Sequence, residues 1–387
     1  MDRELASWVV SPDAQPALQA ADAEPDPDSL GAAQRLRRDW PAAQAAMALT
    51  QVKLRRRAAT KFGARAAELF FTTDGLEQAT RAPVAAWRAK RFRDAAVRTV
   101  VDVGCGLGAD ALAFVDAGLE VIGIETDPAT ACLAAANLGS GVRIVTGDAT
   151  AGRGREVLEE HLSAGAAVFI DPARRTAAGR TWRVADFSPS WDFAVGLLEG
   201  RFGCIKGAPG LPSALIPEQC GATWVSHRGD LVEVSIWSSG SRQTVLLPGG
   251  QVVEAEGGPV RVGSIGRYLY EPDPAVQRAG ASAQLAELLR AHRLSAEVGY
   301  LSGDDLIATP LAAVFEVLAV MPWSERELRQ WVRRERIGVL EIKVRGLEVD
   351  PAQLRRRLKP TGPNTATVVL TMTQQGSRAV VVRRCAR

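Results

Sequence analysis

The stretch Val101-Asp-Val-Gly-Cys-Gly-Leu-Gly-Ala-Asp110 lies between a run of β-branched residues and an alanine-rich helical pattern. Its three glycines, Gly104, Gly106 and Gly108, let the chain turn tightly and let a ligand approach the backbone closely. The helix that follows presents unpaired N–H groups at the same point. The stretch therefore predicts a ligand site at the carboxyl end of a strand in an α/β sheet.

Two kinds of ligand suit such a loop. With Ala109, the glycines can be read as the GxGxxA variant of a dinucleotide-binding fingerprint. Asp102, two residues before the first glycine, favours S-adenosylmethionine instead. Its carboxylate attracts the amino-acid part of that sulfonium ligand, whereas it would repel a pyrophosphate. We therefore expect S-adenosylmethionine as the cofactor.

Acidic residues also follow the later predicted strands. Glu125 ends the second strand about 20 residues after the glycines, where a carboxylate binds both hydroxyls of a ribose. Asp148, with Ala149 after it, follows the third strand, where we expect contact with the adenine amino group. Each acid taken singly is also a typical helix cap, and that alternative stays open. The predicted cofactor-binding residues are Asp102, Gly104, Gly106, Gly108, Glu125, Asp148 and Ala149.

The segment after the fourth predicted strand carries the candidate catalytic residues. Asp171-Pro-Ala-Arg174 stands where amino-methylating enzymes have an Asp/Asn-Pro-Pro-aromatic motif. A carboxylate and a carbonyl next to proline can hold an exocyclic NH2 with its lone pair toward the methyl group, since proline fixes φ and has no competing N–H. Asp171 and Pro172 are therefore the predicted catalytic residues. An arginine replaces the aromatic residue, and a plain strand-to-loop turn remains the alternative.

Basic side chains near this motif are candidate substrate contacts. Arg174 and Arg175 are suited to hold a phosphate. Lys206, at the end of the fifth predicted strand, is either a phosphate contact or an ion-pair partner of the aspartate in the motif. Cys204 and Cys220 are interpreted as packed thiols, because neither follows a proline at the fourth-strand motif as a C5-pyrimidine nucleophile would.

The composition excludes several classes of protein. The 387 residues are 47% hydrophobic and 24% charged, which is typical of a globular chain. The sequence contains no apolar run long enough for a transmembrane helix, and its first residues do not resemble a secretory signal. The five cysteines and three histidines are scattered without metal-ligand spacing. We expect a cytoplasmic protein with no metal and no membrane contact.

Hydrophobic periodicity divides the chain into four predicted regions. Residues 1–95 have helical spacing, interrupted by an acidic, proline-containing loop at 22–28. Residues 96–250 alternate strands and helices, among them the strand EVIGIE at 120–125 and the helix PATACLAAANL at 128–138, which predicts a doubly wound parallel sheet. After Thr223 strands follow one another directly, and we expect them to form an antiparallel edge. Residues 251–313 are interpreted as a connecting region. Residues 314–387 follow a β-α-β-α-β-β order, typical of a small α+β domain.

Positive charge is concentrated at the end of the chain. The segment from Ser324 to Arg387 carries 15 Lys and Arg against 6 Asp and Glu, a net charge of +9, whereas the remainder carries −6. Arginines with helical spacing, including Arg333 and Arg334, predict a basic face of the kind that binds nucleic acid. A solvated helix surface is the alternative interpretation.

Several motifs in order resemble one protein family. They are GLEQATRAPVAAWRAKRF, VDVGCGLGADALAF, the DPARR turn, IKGAPGL, GRYLYEPDPAVQRAG and LEIKVRG. Together they resemble the bacterial class I methyltransferases that carry a C-terminal THUMP-like domain. The resemblance implies a Rossmann-like sheet with an N-terminal helical domain, S-adenosylmethionine as cofactor, and an RNA substrate, tRNA or rRNA.

The residues and the resemblance together predict an S-adenosylmethionine-dependent methyltransferase (EC 2.1.1.-) that acts on a base amino group in RNA. A methyltransferase of a protein or small molecule is the first alternative. The second is a non-catalytic RNA-binding protein with a vestigial cofactor fold, for which the imperfect DPAR motif is the sequence support.

Overall fold

The structure is a computed structural model that describes residues 1–174, with the side chain of Arg174 excepted, and residues 186–385. The chain forms two compact units. The first unit contains Met1–Cys220 and Val234–Gly240, and the second contains Gly221–Glu233 and Ser241–Arg387. The helices of the described residues are α1 (Arg3–Val9), α2 (Gln15–Asp22), α3 (Leu30–Leu36), α4 (Ala42–Phe62), α5 (Thr73–Gln78), α6 (Ala82–Asp94), α7 (Ala109–Asp116), α8 (Pro128–Leu138), α9 (Gly152–Ser163), α10 (Trp191–Gly196), α11 (Pro274–Ala279), α12 (Ser282–Leu288), α13 (Glu325–Arg334) and α14 (Pro351–Leu358). The strands are β1 (Thr99–Val103), β2 (Glu120–Glu125), β3 (Arg143–Thr146), β4 (Ala167–Ile170), β5 (Ala173–Arg174), β6 (Phe187–Ser188), β7 (Gly203–Gly207), β8 (Gly221–His227), β9 (Asp230–Trp237), β10 (Arg242–Leu247), β11 (Gln251–Glu254), β12 (Tyr268–Pro272), β13 (His292–Arg293), β14 (Leu301–Gly303), β15 (Ala312–Pro322), β16 (Ile337–Arg345), β17 (Asn364–Thr373) and β18 (Gly376–Arg384).

Helices occupy the first part of the first unit, as the sequence predicts. Alanines and leucines of α1 to α4 form a buried cluster that also includes Leu107 and Leu112, beside the glycine loop. Lys61, near the end of α4, donates to the carbonyl oxygens of Leu76, Glu77 and Ala79, at 2.7–2.8 Å. Because these carbonyls lie at the C-terminal end of α5, the ammonium group caps that helix.

The sheet of the first unit has the strand order β9-β7-β4-β1-β2-β3. Strands β1, β2, β3, β4 and β7 are parallel, and β9 pairs antiparallel to β7. This is the predicted doubly wound arrangement, with apolar strands buried beneath α6 and α7. Strand β1 pairs with β2 on one side and β4 on the other, so chain order reverses there. In such sheets the crevice at the reversal is where ligands bind.

Local sequence signals set the ends of the helices around this crevice. Asp127 accepts a hydrogen bond from the N–H of Thr130 at 2.9 Å and so caps α8, whose first residue is Pro128. Gly139, with φ of +74°, ends the same helix. The helix therefore runs the length of the predicted PATACLAAANL segment.

The second unit contains a seven-stranded sheet with the order β13-β14-β12-β15-β18-β17-β16. Its β15-α13-β16-α14-β17-β18 part is the predicted β-α-β-α-β-β domain. Apolar residues of α13 and α14, among them Trp331 and Leu354, pack on one face of β16, β17 and β18. Arg357 of α14 also pairs with Glu325 of α13 at 2.9 Å. The two basic helices therefore lie side by side on one face of the sheet.

Glu271, in β12, ties together distant strands of this sheet. Its carboxylate accepts from Lys343 of β16 at 2.7 Å and from the hydroxyl of Tyr300 at 3.2 Å, and it lies 3.5 Å from the guanidinium of Arg345. A buried cluster that includes Phe315, Val369, Val380 and Val382 lies on the same side of the sheet. Strands β12, β13 and β14 thus complete this core, although they fall within the residues interpreted as a connecting region.

One detail of strand direction differs from the prediction. The strands after Thr223 were expected to be antiparallel, and β9 and β11 do pair in that way. Strands β8 and β10, however, are parallel, with Ala222 opposite Arg242 and His227 opposite Leu247. The intervening β9 carries the chain back between them, so two strands that are close in sequence run in the same direction. Alternation within each strand carries no information about its direction.

Candidate functional site

The glycine loop connects β1 to α7. Gly104, Gly106 and Gly108 have φ values of +72°, +56° and +83°, a region that other residues rarely adopt. A side chain at Gly104 or Gly106 would meet nothing within 4 Å, whereas one at Gly108 would lie 2.9 Å from Leu138. The first two glycines thus leave open space beside the backbone, and the third allows α8 to pack closely. All three glycines therefore form the turn, and only the first two leave room for a ligand against the backbone.

Glu125 ends β2 next to this loop. Its Oε2 accepts from the N–H of Gly106 at 3.0 Å, and its Oε1 accepts from the N–H of Asp127 at 2.9 Å. These two hydrogen bonds hold the carboxylate between the loop and the start of α8. Oε1 also accepts from the hydroxyl of Thr126 at 3.3 Å. Oε2 can therefore accept from one ribose hydroxyl directly, whereas a second hydroxyl at Oε1 would take the place of Thr126.

Asp102 is deeply buried, with 1% of its surface exposed. Its Oδ2 has no hydrogen-bond partner among the described residues. Burial raises the pKa of Asp102 well above its ordinary value, and the negative charges of Asp110 and Asp171 raise it further. The positive charges of Arg88 and Lys206 oppose this shift. A buried acceptor without a donor is costly, so a ligand that brings a positive donor would be stabilised here.

An ion pair beside Asp102 was not found from the sequence. Arg88 of α6 is fully buried, pairs with Asp110 in the first turn of α7, and lies over the ring of Phe169 at 4.7 Å. The hydroxyl of Thr80 also donates to Asp110 at 2.7 Å. A signal existed, because Arg88 lies at helical spacing with the buried apolar residues of α6. The pair offsets the charge of Asp110, one of the two carboxylates that act on Asp102.

Asp171 lies directly after β4, across the sheet reversal from the glycine loop. Its Oδ2 is 2.5 Å from the ammonium group of Lys206, in β7, so the ion pair left open by the sequence is present. The side chain of Asp171 is 37% exposed, whereas that of Lys206 is 15% exposed, and Pro172 is buried. The aspartate is therefore partly exposed and paired with a largely buried cation.

The remaining predicted site residues have varied positions. Asp148 is exposed two residues after β3, where its Oδ1 accepts from the backbone N–H and hydroxyl of Thr150 at 2.8 and 2.7 Å. The side chain of Ala149 is buried. Arg175 and the side chain of Arg174 lie outside the described residues.

Arg333 and Arg334 belong to the second unit, in the last turn of α13. Both are exposed, and Arg334 pairs with Glu335 at 2.9 Å, whereas Arg333 has no ion pair among the described residues. Cations at a helix C-terminus also stabilise the helix dipole, so their position serves the fold as well.

Within 1–174 and 186–385, no helix is long and apolar enough to cross a membrane, and no cluster of His, Cys, Asp or Glu could hold a metal ion.

Comparison with known proteins places this chain in a family. An uncharacterized S-adenosylmethionine-dependent methyltransferase, found in two strains of Mycobacterium tuberculosis, is 33% identical over 344 residues. The match covers 84% of this chain and 92% of the relative. The chain belongs to the S-adenosylmethionine-dependent methyltransferases. The predicted family and its cofactor are thereby confirmed.

Further similarities cover the fold and the two ends of the chain. The crystal structure of a candidate methyltransferase from Porphyromonas gingivalis has a TM-score of 0.75 and 22% identity, and covers 100% of this chain and 99% of that one. It confirms the α/β methyltransferase fold. A family described as THUMP domain-like matches residues 312–384, and a domain of unknown function matches residues 2–58.

The described residues fit the methyltransferase cofactor. The buried Oδ2 of Asp102 has no donor of its own, and the cofactor's amino group is a charged donor. The open space beside Gly104 and Gly106 admits a ligand against the backbone. Bound there, S-adenosylmethionine would supply an electrophilic methyl group on its sulfonium sulfur.

Proposed function

We propose that this methyltransferase transfers the methyl group to an exocyclic amino group of a base in tRNA or rRNA. The observation that carries the proposal is Asp171, a partly exposed carboxylate at the end of β4, followed by a buried proline and backed by Lys206. Such a group can accept a hydrogen bond from an NH2 and fix the direction of its lone pair. The assignment of Asp171 and Pro172 as catalytic is part of this proposal.

The roles of the chain's own residues follow from their contacts. Lys206 occupies Oδ2 of Asp171, which leaves Oδ1 to accept from the substrate amine. The new nitrogen–carbon bond would form as the sulfur–carbon bond breaks, and the nitrogen would then lose one proton to water. Because the methyl donor is already activated, alignment of the amine is the main contribution required of the protein.

The second unit supports RNA as the substrate. Four arginines are exposed and have no ion pair among the described residues: Arg326 and Arg333 in α13, Arg336 just after it, and Arg356 in α14. The segment that contains them carries a net charge of +9. Since α13 and α14 lie side by side, their arginines form one basic surface, which is the electrostatic pattern of phosphate binding. We call these four arginines, together with Arg334 and Arg357, the α13–α14 surface.

Charge reversal on the α13–α14 surface tests the RNA substrate. Arg333→Glu with Arg334→Glu should weaken binding to a single-stranded RNA by about tenfold or more and lower the slope of log K against log salt by about 1.4, since each lost phosphate contact removes about 0.7. The matched control is Arg153→Glu with Arg155→Glu on α9, where both arginines are exposed and paired to glutamates. Equal effects of the two double variants would show that only net charge matters.

The reaction itself requires an identified product. Total tRNA and rRNA from a deletion strain should accept labelled methyl groups from the purified protein, and nucleoside mass spectrometry should show one N-methylated base that is missing from that strain. Labelled protein or metabolite with unlabelled RNA would replace the RNA proposal by the first alternative. No labelled product from any fraction, with normal cofactor binding, would favour a non-catalytic role.

A further inference from the structure

The side-chain amide of Asn137, in α8, bridges the N-terminal helical region and the glycine loop. Its Oδ1 accepts from the N–H of Phe70 at 2.7 Å, and its Nδ2 donates to the carbonyl of Phe70 at 3.0 Å. The same Nδ2 donates its second hydrogen to the carbonyl of Leu107 at 2.9 Å. Both amide hydrogens and one oxygen lone pair are therefore used.

Leu107 lies between two of the three loop glycines, so its carbonyl is part of the predicted cofactor-binding backbone. Next to it, the N–H of Gly108 donates to the carbonyl of Cys105 at 2.9 Å, which closes the turn. Leu107 also packs closely against α5, since a side chain at Gly75 would approach it to 2.6 Å. The Asn137 hydrogen bond thus holds a peptide group whose neighbours are already fixed on both sides.

We infer that Asn137 is a positioning residue for cofactor binding, which acts by fixing the Leu107 peptide in the orientation that the glycine loop requires. The inference rests on the proposed assignment of the glycine loop and Glu125 as the cofactor site. Asn137 does not need to touch the ligand. Loss of its amide leaves the Leu107 peptide without this restraint, and the cofactor must then fix the orientation of that peptide when it binds.

The chain provides a matched control for a purely structural role. Gln51, in α4, makes the same pair of hydrogen bonds to the adjacent residue: its Nε2 donates to the carbonyl of Phe71 at 2.7 Å, and its Oε1 accepts from the Phe71 N–H at 2.9 Å. Gln51 is completely buried and makes no hydrogen bond to the glycine loop. Its removal therefore destabilises the same chain segment without releasing Leu107.

The experiment measures binding of S-adenosylhomocysteine to the full chain by calorimetry, together with the melting temperature. Asn137→Ala and Gln51→Ala should both lower the melting temperature, but only Asn137→Ala should weaken binding, by about fivefold or more. Asn137→Asp should weaken it further, because a carboxylate oxygen would then face two carbonyl oxygens. Hydrogen exchange of the 104–108 amides should increase in the Asn137 variants alone.

The outcomes separate the inference from the site on which it rests. Equal losses of affinity in Asn137→Ala and Gln51→Ala, or wild-type affinity in Asn137→Asp, would overturn the positioning role. Glu125→Ala tests the cofactor site separately from the positioning role of Asn137. If Glu125→Ala weakens binding and Asn137→Ala does not, the cofactor site stands and the inference fails, whereas if neither variant weakens binding, the proposed site is itself wrong.

Discussion

Replacement of Asp102 by asparagine should raise the stability of the cofactor-free protein and lower its affinity for the cofactor. The side chain is almost the same size, so packing is kept. The negative charge is lost, and with it the repulsion from Asp110 and Asp171. The same charge is the proposed acceptor for the cofactor's amino group. The two effects have opposite signs, and a general packing defect would not produce that combination.

The expected magnitudes follow from the surroundings of Asp102. A buried carboxylate without a donor on Oδ2 costs more than a neutral amide of the same shape, because the charged form loses more hydration on burial. If the neutral amide recovers about 1 kcal/mol of this cost, the melting temperature rises by about 2–4 °C. A hydrogen bond between charged groups contributes about 1.5–3 kcal/mol, so affinity for S-adenosylhomocysteine should fall by about 10- to 100-fold.

The dependence of stability on pH gives an independent test of the role of Asp102. Folding raises the pKa of Asp102 above the 3.8 of the unfolded chain. Its contribution to the stability of the fold is therefore fully present below pH 3.8 and is lost as the pH rises through the folded pKa. The stability gain of Asp102→Asn should therefore be largest at neutral pH and vanish in acid. A bound ammonium group opposes the shift, so cofactor binding should release protons from the wild type in mildly acidic solution.

Calorimetry in two buffers of different ionisation enthalpy, between about pH 5 and 7, measures that release, because the ligand's α-amino group stays protonated below its pKa of about 8. Asp110, Asp171, Arg88 and Lys206 remain in both proteins, so their titration cancels in the comparison. An Asp102→Asn protein that binds as tightly as the wild type, or that releases the same number of protons, would refute the reasoning.

Two further predictions concern the other acids of the crevice. Glu125→Ala should weaken S-adenosylhomocysteine binding by about 2 kcal/mol in calorimetry, since it removes a charged acceptor held by Gly106, and NAD should bind neither protein. Asp171→Ala should reduce methyl transfer per folded molecule by about 100-fold or more while most of the cofactor affinity is kept, although the melting temperature should fall because the ion pair with Lys206 is lost. Asp171→Asn should keep part of the activity because its amide oxygen still accepts. Wild-type turnover in Asp171→Ala would assign the residue to the turn alone.

The sequence predicted the parts of the fold that depend on local pattern. The strand from Glu120 to Glu125 and the helix from Pro128 to Leu138 have the predicted extents, because each is a long periodic segment with clear end signals. The short strand β13, with only two residues, carries no such signal. Its place in a sheet is decided by tertiary pairing, which a single sequence does not encode locally.

Only the acidic residues at the strand ends of the candidate site could be predicted from the sequence. Asp102, Glu125 and Asp171 could be selected because parallel strands bring their carboxyl ends to one edge. Arg88 and Asn137 could not be assigned roles, since their partners are 22 and 30 residues away and are brought close by packing of helices on the sheet. Residues that act by holding the backbone of a site residue are not part of its sequence motif, so the motif does not identify them.

The interaction of Glu271 with β16 has a consequence for how this protein can be divided. The THUMP domain-like match begins at residue 312, but Glu271 of β12 lies outside it. A fragment cut at that boundary would separate Lys343 and Arg345 from Glu271 and Tyr300, and would uncover the side of the sheet that holds Phe315. The segment recognised by sequence similarity is thus smaller than the sheet to which it belongs, so excision at residue 312 would expose part of that sheet's buried core.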